Sequence, residues 1–300
     1  MTLKNNSLGG VGANENCETA LKNLIVADMH VHTIYSDGTL TVKDAVSQAK
    51  ARGVGLLCIT DHDNMNGCDE LQVQAKKAKI LGVNGIEISA YDGDVKVHVF
   101  GYNADHNCAV YKDFYSKLFH SSYDRATDVL AKLKRAGVSL SFDEVLRERK
   151  NDVSPIHAMH IARAGARKGY SSSPFTFYGK YIKVGCPAFS SVGRVSPETA
   201  VKIIKESGGV SSLAHPGRIG VSQQYTLDLI NKLISCGLDG IEAVYSGHTN
   251  VETAYYKEIA TSKNLLVTGG SDTHFPEGNR KIGVPRFVPD DKLLLALKLI

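Results

Sequence analysis

The feature that most constrains this chain is a recurring unit: a short apolar run, a cluster of histidines and acids, then an amphipathic stretch ended by glycine. Leu24-Ile25-Val26-Ala27 leads into His30 and His32, with Asp37 in the polar turn beyond. Val54 to Thr60 leads into Asp61-His62-Asp63, and Val83 to Ser89 carries Glu87. Later, 209–214 ends at His215, 238–244 at Tyr245 and His248, and 265–269 at Asp272 and His274. Short apolar runs bounded by polar turns are buried strands, and the 3.6-residue patterns between them are helices. Strand and helix in alternation make parallel strands, because each helix is a crossover returning the chain to the same end of the sheet. Polar clusters at successive strand ends converge most readily at the mouth of a parallel β/α barrel, the doubly wound open sheet being the alternative.

In chain order, helices are expected from Thr41 until Gly53, then at about 68–81, 196–207, 224–236, 250–262 and 290–299. Val95 to Tyr102 alternates, so His98 shares a face with Lys96 and Phe100. Between 103 and 190 the strand rhythm stops. Helices are expected there at about 108–136, with a break near Ser121-Ser122, at 142–150 behind the Ser141…Glu144 capping box, at 155–168 and at 173–181. The organisation predicted is α/β: a flexible leader at 1–20, a seven-stranded barrel from 21–102 and 191–300, and an inserted helical cap at 103–190.

Composition excludes several function classes. The net charge of +4 is too mild to imply binding of long nucleic acid, although a local pocket for a small anion fits it. The six cysteines are scattered without a Cys-x-x-Cys pair, which suits reduced thiols in a cytoplasmic protein better than a disulfide framework. No apolar run approaches membrane-spanning length, and the N-terminus lacks signal-peptide architecture.

In an extended segment His30 and His32 share one face and can address one ion, yet a lone His-x-His is weak evidence. The weight comes from the set of His30, His32, Asp37, His62, Glu87, His98, His215, Asp272 and His274. Each alone has an ordinary reading: Glu87 paired with an arginine, His98 facing solvent from an edge strand, Asp272 capping a loop. Together they place an acid or histidine near most strand ends, which coincidence does not do. Imidazole and carboxylate without thiolate favour zinc, manganese or iron over magnesium, and nine donors exceed what one ion takes. Asp61 and Asp63 are expected to orient His62 from behind.

Five ordered stretches resemble the motifs of the PHP (polymerase and histidinol phosphatase) family. They are Asp28-Met29-His30-Val31-His32-Thr33 with Ser36-Asp37-Gly38, Ile59-Thr60-Asp61-His62-Asp63, Gly85-Ile86-Glu87-Ile88-Ser89, Leu213-Ala214-His215-Pro216 and Gly270-Ser271-Asp272-Thr273-His274. The resemblance implies a distorted barrel with two or three metal ions that hydrolyses phosphoesters. It would give one ion His30, His32, Glu87 and Asp272, a second the shared Glu87 with His98 and His215, and a third Asp37, His62 and His274. Asp37 in Ser-Asp-Gly and the helical insert resemble the nucleotide branch, which includes nucleoside 3′,5′-bisphosphate phosphatases and nucleases acting on 5′ ends. Two cations frequent in that branch are Ala158 and Cys186 here.

The expected reaction is hydrolysis of a phosphomonoester of a nucleotide or similar small metabolite, with a hydroxide shared between metals as nucleophile. His248 and Asp37 are the catalytic candidates, His248 as acid toward the leaving alkoxide. Arg218, Arg194, Lys180 and His160 are the substrate-binding candidates, and Phe175, Phe177, Tyr178 or Tyr181 could stack on a base. His106, His120 and His157 are assigned structural roles. Rival readings are a 5′-3′ exonuclease on short oligonucleotides, a histidinol phosphatase, a non-catalytic nucleotide sensor, and a metal-dependent amidohydrolase, whose barrel also opens with His-x-His.

Overall fold

The computed structural model describes residues 25–275 and 278–300, so the expected leader at 1–20 lies outside the described residues. Seven strands form one sheet in chain order: β1 Ala27–Val31, β2 Leu56–Ile59, β3 Leu81–Asp92, β4 Val95–Tyr102, β5 Val210–Leu213, β6 Gly240–Tyr245 and β7 Leu266–Gly270. The helices are α1 Val42–Ala51, α2 Cys68–Ala78, α3 Ala109–Arg135, α4 Phe142–Leu146, α5 Ala158–Arg167, α6 Pro174–Phe177, α7 Pro197–Glu206, α8 Gln223–Ser235, α9 Asn250–Ser262 and α10 Asp291–Ala296. The sheet curls until the end of β1 meets the chain just beyond β7. There Asp272 N donates to His30 O at 2.7 Å and His32 N to Thr273 O at 2.9 Å. Those two bonds close the barrel at the point where the histidines stand.

The barrel is not uniformly parallel. β3 pairs antiparallel with β4, and β4 with β5. Only Gly93 and Asp94 separate β3 from β4, and two residues suffice for a hairpin but never for a crossover. Gly93 takes φ +61, which such a turn requires. The hairpin also explains why β3 runs past the expected Ser89 to Asp92: β4 gives the extra residues a hydrogen-bonding partner.

Apolar packing joins the layers. One cluster gathers Met29, Leu56, Phe100, Val244, Leu266 and Phe287; a larger one seats α7, α8 and α9 on the middle strands through Val201, Ile204, Leu229, Leu233 and Ile259. A separate cluster, including Val129, Leu133, Val145, Ile161 and Phe177, belongs to the insert. Helix α3 takes part in both, with Tyr111, Phe114 and Leu118 in the barrel cluster and Ala126, Val129 and Leu133 in the insert's. At 27 residues it spans about 40 Å and is unbroken. The expected break at Ser121-Ser122 is absent because buried Ser122 Oγ donates back to Phe119 O at 2.7 Å and accepts Ile156 N at 3.0 Å. The segment expected as a helix at 173–181 is instead the single turn α6 followed by a π-helical turn, Tyr178–Ile182. No helix among the described residues is long and apolar enough to cross a membrane.

Candidate metal centre

Glu87 is the centre of the barrel mouth. Its Oε1 lies 2.6 Å from His98 Nδ1 and 2.9 Å from His215 Nε2. Its Oε2 lies 3.2 Å from His30 Nε2, 3.0 Å from His32 Nε2 and 3.4 Å from His62 Nδ1. Asp272 Oδ1 adds contacts at 3.2 Å to His30 and to His274 Nδ1, and His274 Nε2 reaches Asp37 Oδ1 at 3.3 Å. All nine expected residues therefore meet in one mouth, and Glu87 pairs with five imidazoles rather than with an arginine.

The donor set fits dications. His30, His32, Glu87, Asp37 and Asp272 are all below 10% exposed, and His30 Nε2 faces His32 Nε2 at 3.0 Å. Two imidazole nitrogens at that distance need a proton or a cation between them. Asp37 Oδ1 and His62 Nδ1 are buried without hydrogen-bond partners. Four groups place one ligand atom each within mutual reach: His32, Asp37, His62 and His274; His30, His32 and Asp272; His30, Glu87 and His215; His62, Glu87 and His98. The three-way division implied by resemblance is close to this, except that His30 and His32 each stand in two groups, His30 also joining Glu87 and His215, and that His62 reaches both Asp37 and Glu87. Burial opposes charge at Glu87 and Asp37, yet the surrounding imidazoles hold both carboxyls well below the usual range. Burial likewise drives His62 far down and His98 to about 3, so both present neutral nitrogen, the form that binds metal.

The scaffold behind these donors is polar and buried. Glu242, fully buried on β6, accepts from His30 Nδ1 at 2.9 Å and from His215 N at 2.8 Å. It thereby fixes which nitrogen His30 turns to the centre. Burial works against a charged His30, but Glu242 and Glu87 outweigh it and push that imidazole up to about 10. Asp28 accepts from His30 N, Ser271 N and Gly283 N, tying β1 to the chain beyond β7. Three site residues, Asp63, His215 and Asp272, have positive φ (57°, 29° and 57°). Such backbone strain is sustained where surrounding contacts over-determine it, as around a ligand cluster.

Several expectations are corrected. Asp61 does not orient His62; it accepts from Thr33 N, Thr33 Oγ1 and Ser36 Oγ and so shapes the loop carrying Asp37. Asp63 accepts from Ser89 N at 2.7 Å instead. His248 is not free as a proton donor: Nδ1 donates to Ala243 O at 3.1 Å and Nε2 accepts Gly217 N at 3.1 Å, which pins the turn after His215. His160 is a staple, with Nε2 donating to Ser36 O and Nδ1 accepting His157 N, so it touches no open space. Lys180 is exposed over the Tyr181 ring and outside the cavity wall, and Phe177 is buried in the insert's core. Arg218 is exposed on the turn after His215. Arg194 lines the cavity under the cap, as do Phe175, Tyr178 and His157, the last assigned above a merely structural role.

Sequence reasoning gave no role to Glu242, Asp28, Tyr245, Arg163 or Arg280. Tyr245 Oη donates to Asp272 Oδ2 at 2.8 Å, Arg280 also donates to that oxygen, and Arg163 donates to Asp37 O. Glu242 had a signal, an acid inside the apolar strand Ile241-Glu242-Ala243-Val244, because a buried charge there must be paired. Arg163 and Arg280 had none, since their partners are set by tertiary approach.

Comparison with known proteins agrees with this geometry. The PHP domain model matches residues 28–185, and the chain belongs to that family. Phosphoribosyl 1,2-cyclic phosphate 1,2-diphosphodiesterase of Eggerthella lenta is 30% identical over 83% of this chain and 94% of its own length. The 3′,5′-nucleoside bisphosphate phosphatase of Chromobacterium violaceum is 32% identical over 87% of this chain and 92% of its own. A solved structure from Chromobacterium violaceum, described as an amidohydrolase with bound sulfate and no metal, superposes with TM-score 0.81 at 30% identity, covering 90% of this chain and 96% of that one. Another, from Bifidobacterium adolescentis and described as a candidate metal-dependent phosphoesterase, gives TM-score 0.81 at 26% identity, covering 91% and 95%. The chain is a phosphoesterase of the PHP type.

Proposed function

We propose that the chain hydrolyses a phosphomonoester of a nucleotide or similar small phosphorylated metabolite, with two or three divalent ions held by the nine residues of the barrel mouth. The observation that carries this is Glu87, whose two oxygens divide five imidazoles between them. One carboxylate facing two donor groups is the arrangement of a bridging ligand. His30, His32 and Asp272 would hold one ion, His98 and His215 a second with Glu87, and Asp37, His62 and His274 a third. Manganese, zinc or iron suits this donor set. Bound there, such ions supply an activated water and neutralise charge on the phosphoryl oxygens.

The protein's own groups do the positioning. Glu242 fixes the ring of His30 and the backbone of His215. Tyr245 and Arg280 hold the outer oxygen of Asp272, which leaves Oδ1 turned to the histidines. Arg218, exposed beside His215, adds a fixed positive charge at the mouth for the phosphoryl group. The insert at 103–190 acts as the cap, and its cavity takes the remainder of the substrate.

Purified protein loaded with manganese is expected to release inorganic phosphate from nucleotides in a screen that also contains histidinol phosphate, a short 5′-phosphorylated oligonucleotide and an amide series. Turnover of an amide with none of the phosphoesters would reverse the reading.

A further inference from the structure

Of the nine donors, Asp37 stands furthest from a strand. It lies six residues beyond β1, whereas the others are within a strand or at most four residues past one. Strand pairing therefore does not fix it. The barrel holds one side of its turn: Asp61 accepts from Thr33 N, Thr33 Oγ1 and Ser36 Oγ, and Thr39 N donates to His274 O at 2.8 Å.

The other side consists of the carbonyls of Ile34, Tyr35, Ser36 and Asp37, none of which accepts a backbone N–H among the described residues. Each is met by a side chain instead. Asn64, from the loop after β2, donates to Tyr35 O at 2.6 Å. The other three are met from the insert. Asn151 Nδ2 donates to Ile34 O at 2.6 Å, His160 Nε2 to Ser36 O at 3.1 Å with Ser154 Oγ at 3.4 Å, and Arg163 Nη2 to Asp37 O. Ser36 and Asp37 are 2% and 6% exposed, so solvent is a poor substitute for these donors. Buried carbonyls left without donors are costly, and a turn of this shape persists only where something supplies them.

Arg163 has a second contact beside the same donors. Its guanidinium lies 5.6 Å from the centre of the Phe275 ring, and Phe275 follows His274. A planar guanidinium can donate from its edge while its face rests on a ring. One side chain of the insert thus touches both stretches that bring Asp37 and His274 together with His62.

We propose that the insert completes the metal centre: Arg163, with Asn151, Ser154 and His160, is a positioning residue that holds Asp37 for the ion it would share with His62 and His274. This rests on the metal reading given above for the ion, though not for the grip on the turn. Donors carried within β1, β3 and β4 need no such help, because strand pairing already places them.

The test measures manganese binding by calorimetry on the wild-type chain, Arg163→Met, Arg163→Lys, Asp37→Asn and the Asp37→Asn/Arg163→Met double variant, with thermal unfolding to check that each is folded. Affinity for one ion is expected to fall about 10- to 100-fold in Arg163→Met while the others bind as in wild type. Arg163→Lys, which keeps a donor, should recover part of that loss. In the Asp37→Asn protein, adding Arg163→Met should not weaken the ions that remain, because both changes act on one ion. Gly165→Ala strains the insert's core and leaves these bonds in place, so it should bind manganese as wild type does. Equal affinities in wild type and folded Arg163→Met, a further loss in the double variant, or the same loss in Gly165→Ala overturns the proposal. If wild-type protein binds no manganese, the metal reading fails, and hydrogen exchange in the metal-free protein decides the grip. The Ser36 amide, which donates to Thr33 O within the turn, should then exchange about tenfold faster in Arg163→Met, and an unchanged rate overturns it.

Discussion

At the barrel mouth the donor side chains stand on or just beyond paired strands: His30 within β1, Glu87 and His98 on the hairpin, His215 and Asp272 each two residues past the ends of β5 and β7. The polar side chains lining the cavity beside Asp37 and His62 come instead from a helix, a residue preceding another helix, a hairpin tip and the loop holding Arg194. Backbone hydrogen bonds set the first group, and side-chain contacts such as the stacking of Arg194 between Tyr91 and Phe189 set much of the second. The difference teaches where each kind of precision is placed. Ion ligation tolerates errors of a few tenths of an ångström and needs the stiffest part of the fold, whereas a pocket for the rest of a substrate can rest on adjustable packing.

That contrast can be broken or sharpened by experiment. The largest effect is expected at the mouth: His32→Ala or Asp272→Asn should lower phosphate release by about a thousandfold or more, since each takes a ligand from a coupled cluster. Retained activity in both variants would remove the metal assignment. Next, Glu242→Gln leaves every ligand in place but weakens the hold on His30, and manganese affinity should fall about 10- to 100-fold in equilibrium dialysis. An unaltered affinity would show that the barrel backbone alone orients the imidazole.

The cap should respond differently. A methyl group on Gly165 would collide with the Phe177 ring, so Gly165→Ala should cost about 1–3 kcal/mol in thermal unfolding. Manganese stoichiometry in the folded variant should stay as in the wild type if the two regions are built independently. The smallest effect concerns pH. Burial, with Arg163 nearby, brings His160 down to about 4, below the ordinary imidazole value. Because the folded-state value is lowered, its penalty is absent above about pH 6.5 and grows as pH falls toward 4, the unfolded chain taking up a proton that the native state refuses. From pH 7 to 5.5 this contributes about 1 kcal/mol of lost stability. His160→Gln should flatten the decline in unfolding free energy by that amount, and an identical slope in the variant would contradict the assignment.

The convergence of the nine donors was legible because a strand has a two-residue period and a barrel gathers strand ends, so chemistry printed at regular places in the sequence meets at the mouth. His98 was readable from the alternation of Val95 to Tyr102, and Asp37 from the turn it occupies. The antiparallel hairpin was also there to be read, in the two-residue gap of Gly93-Asp94, though the repeating strand–helix pattern argued over it. His157, Arg163 and Arg280 were not legible: Arg163 meets Asp37 O, 126 positions away, while His157 reaches the cavity and Arg280 reaches Asp272 only through the path of irregular loops, and nothing local marks a residue whose work is done by approach.

What the sequence determined by itself was the barrel and the nine donors at its mouth, through periodicities that local sterics and burial enforce. Only the tertiary structure decided that Glu87 stands between two sets of imidazoles, that Glu242 braces them, and that His248 and His160 are held by backbone. It alone placed Arg194 in the wall of the cavity beside Asp37, with its Nε and Nη2 buried. Those outcomes depend on approaches between separate elements, among them Glu242 to His30, 212 positions apart, and His160 to Ser36, 124 apart, which periodicity does not encode and packing does.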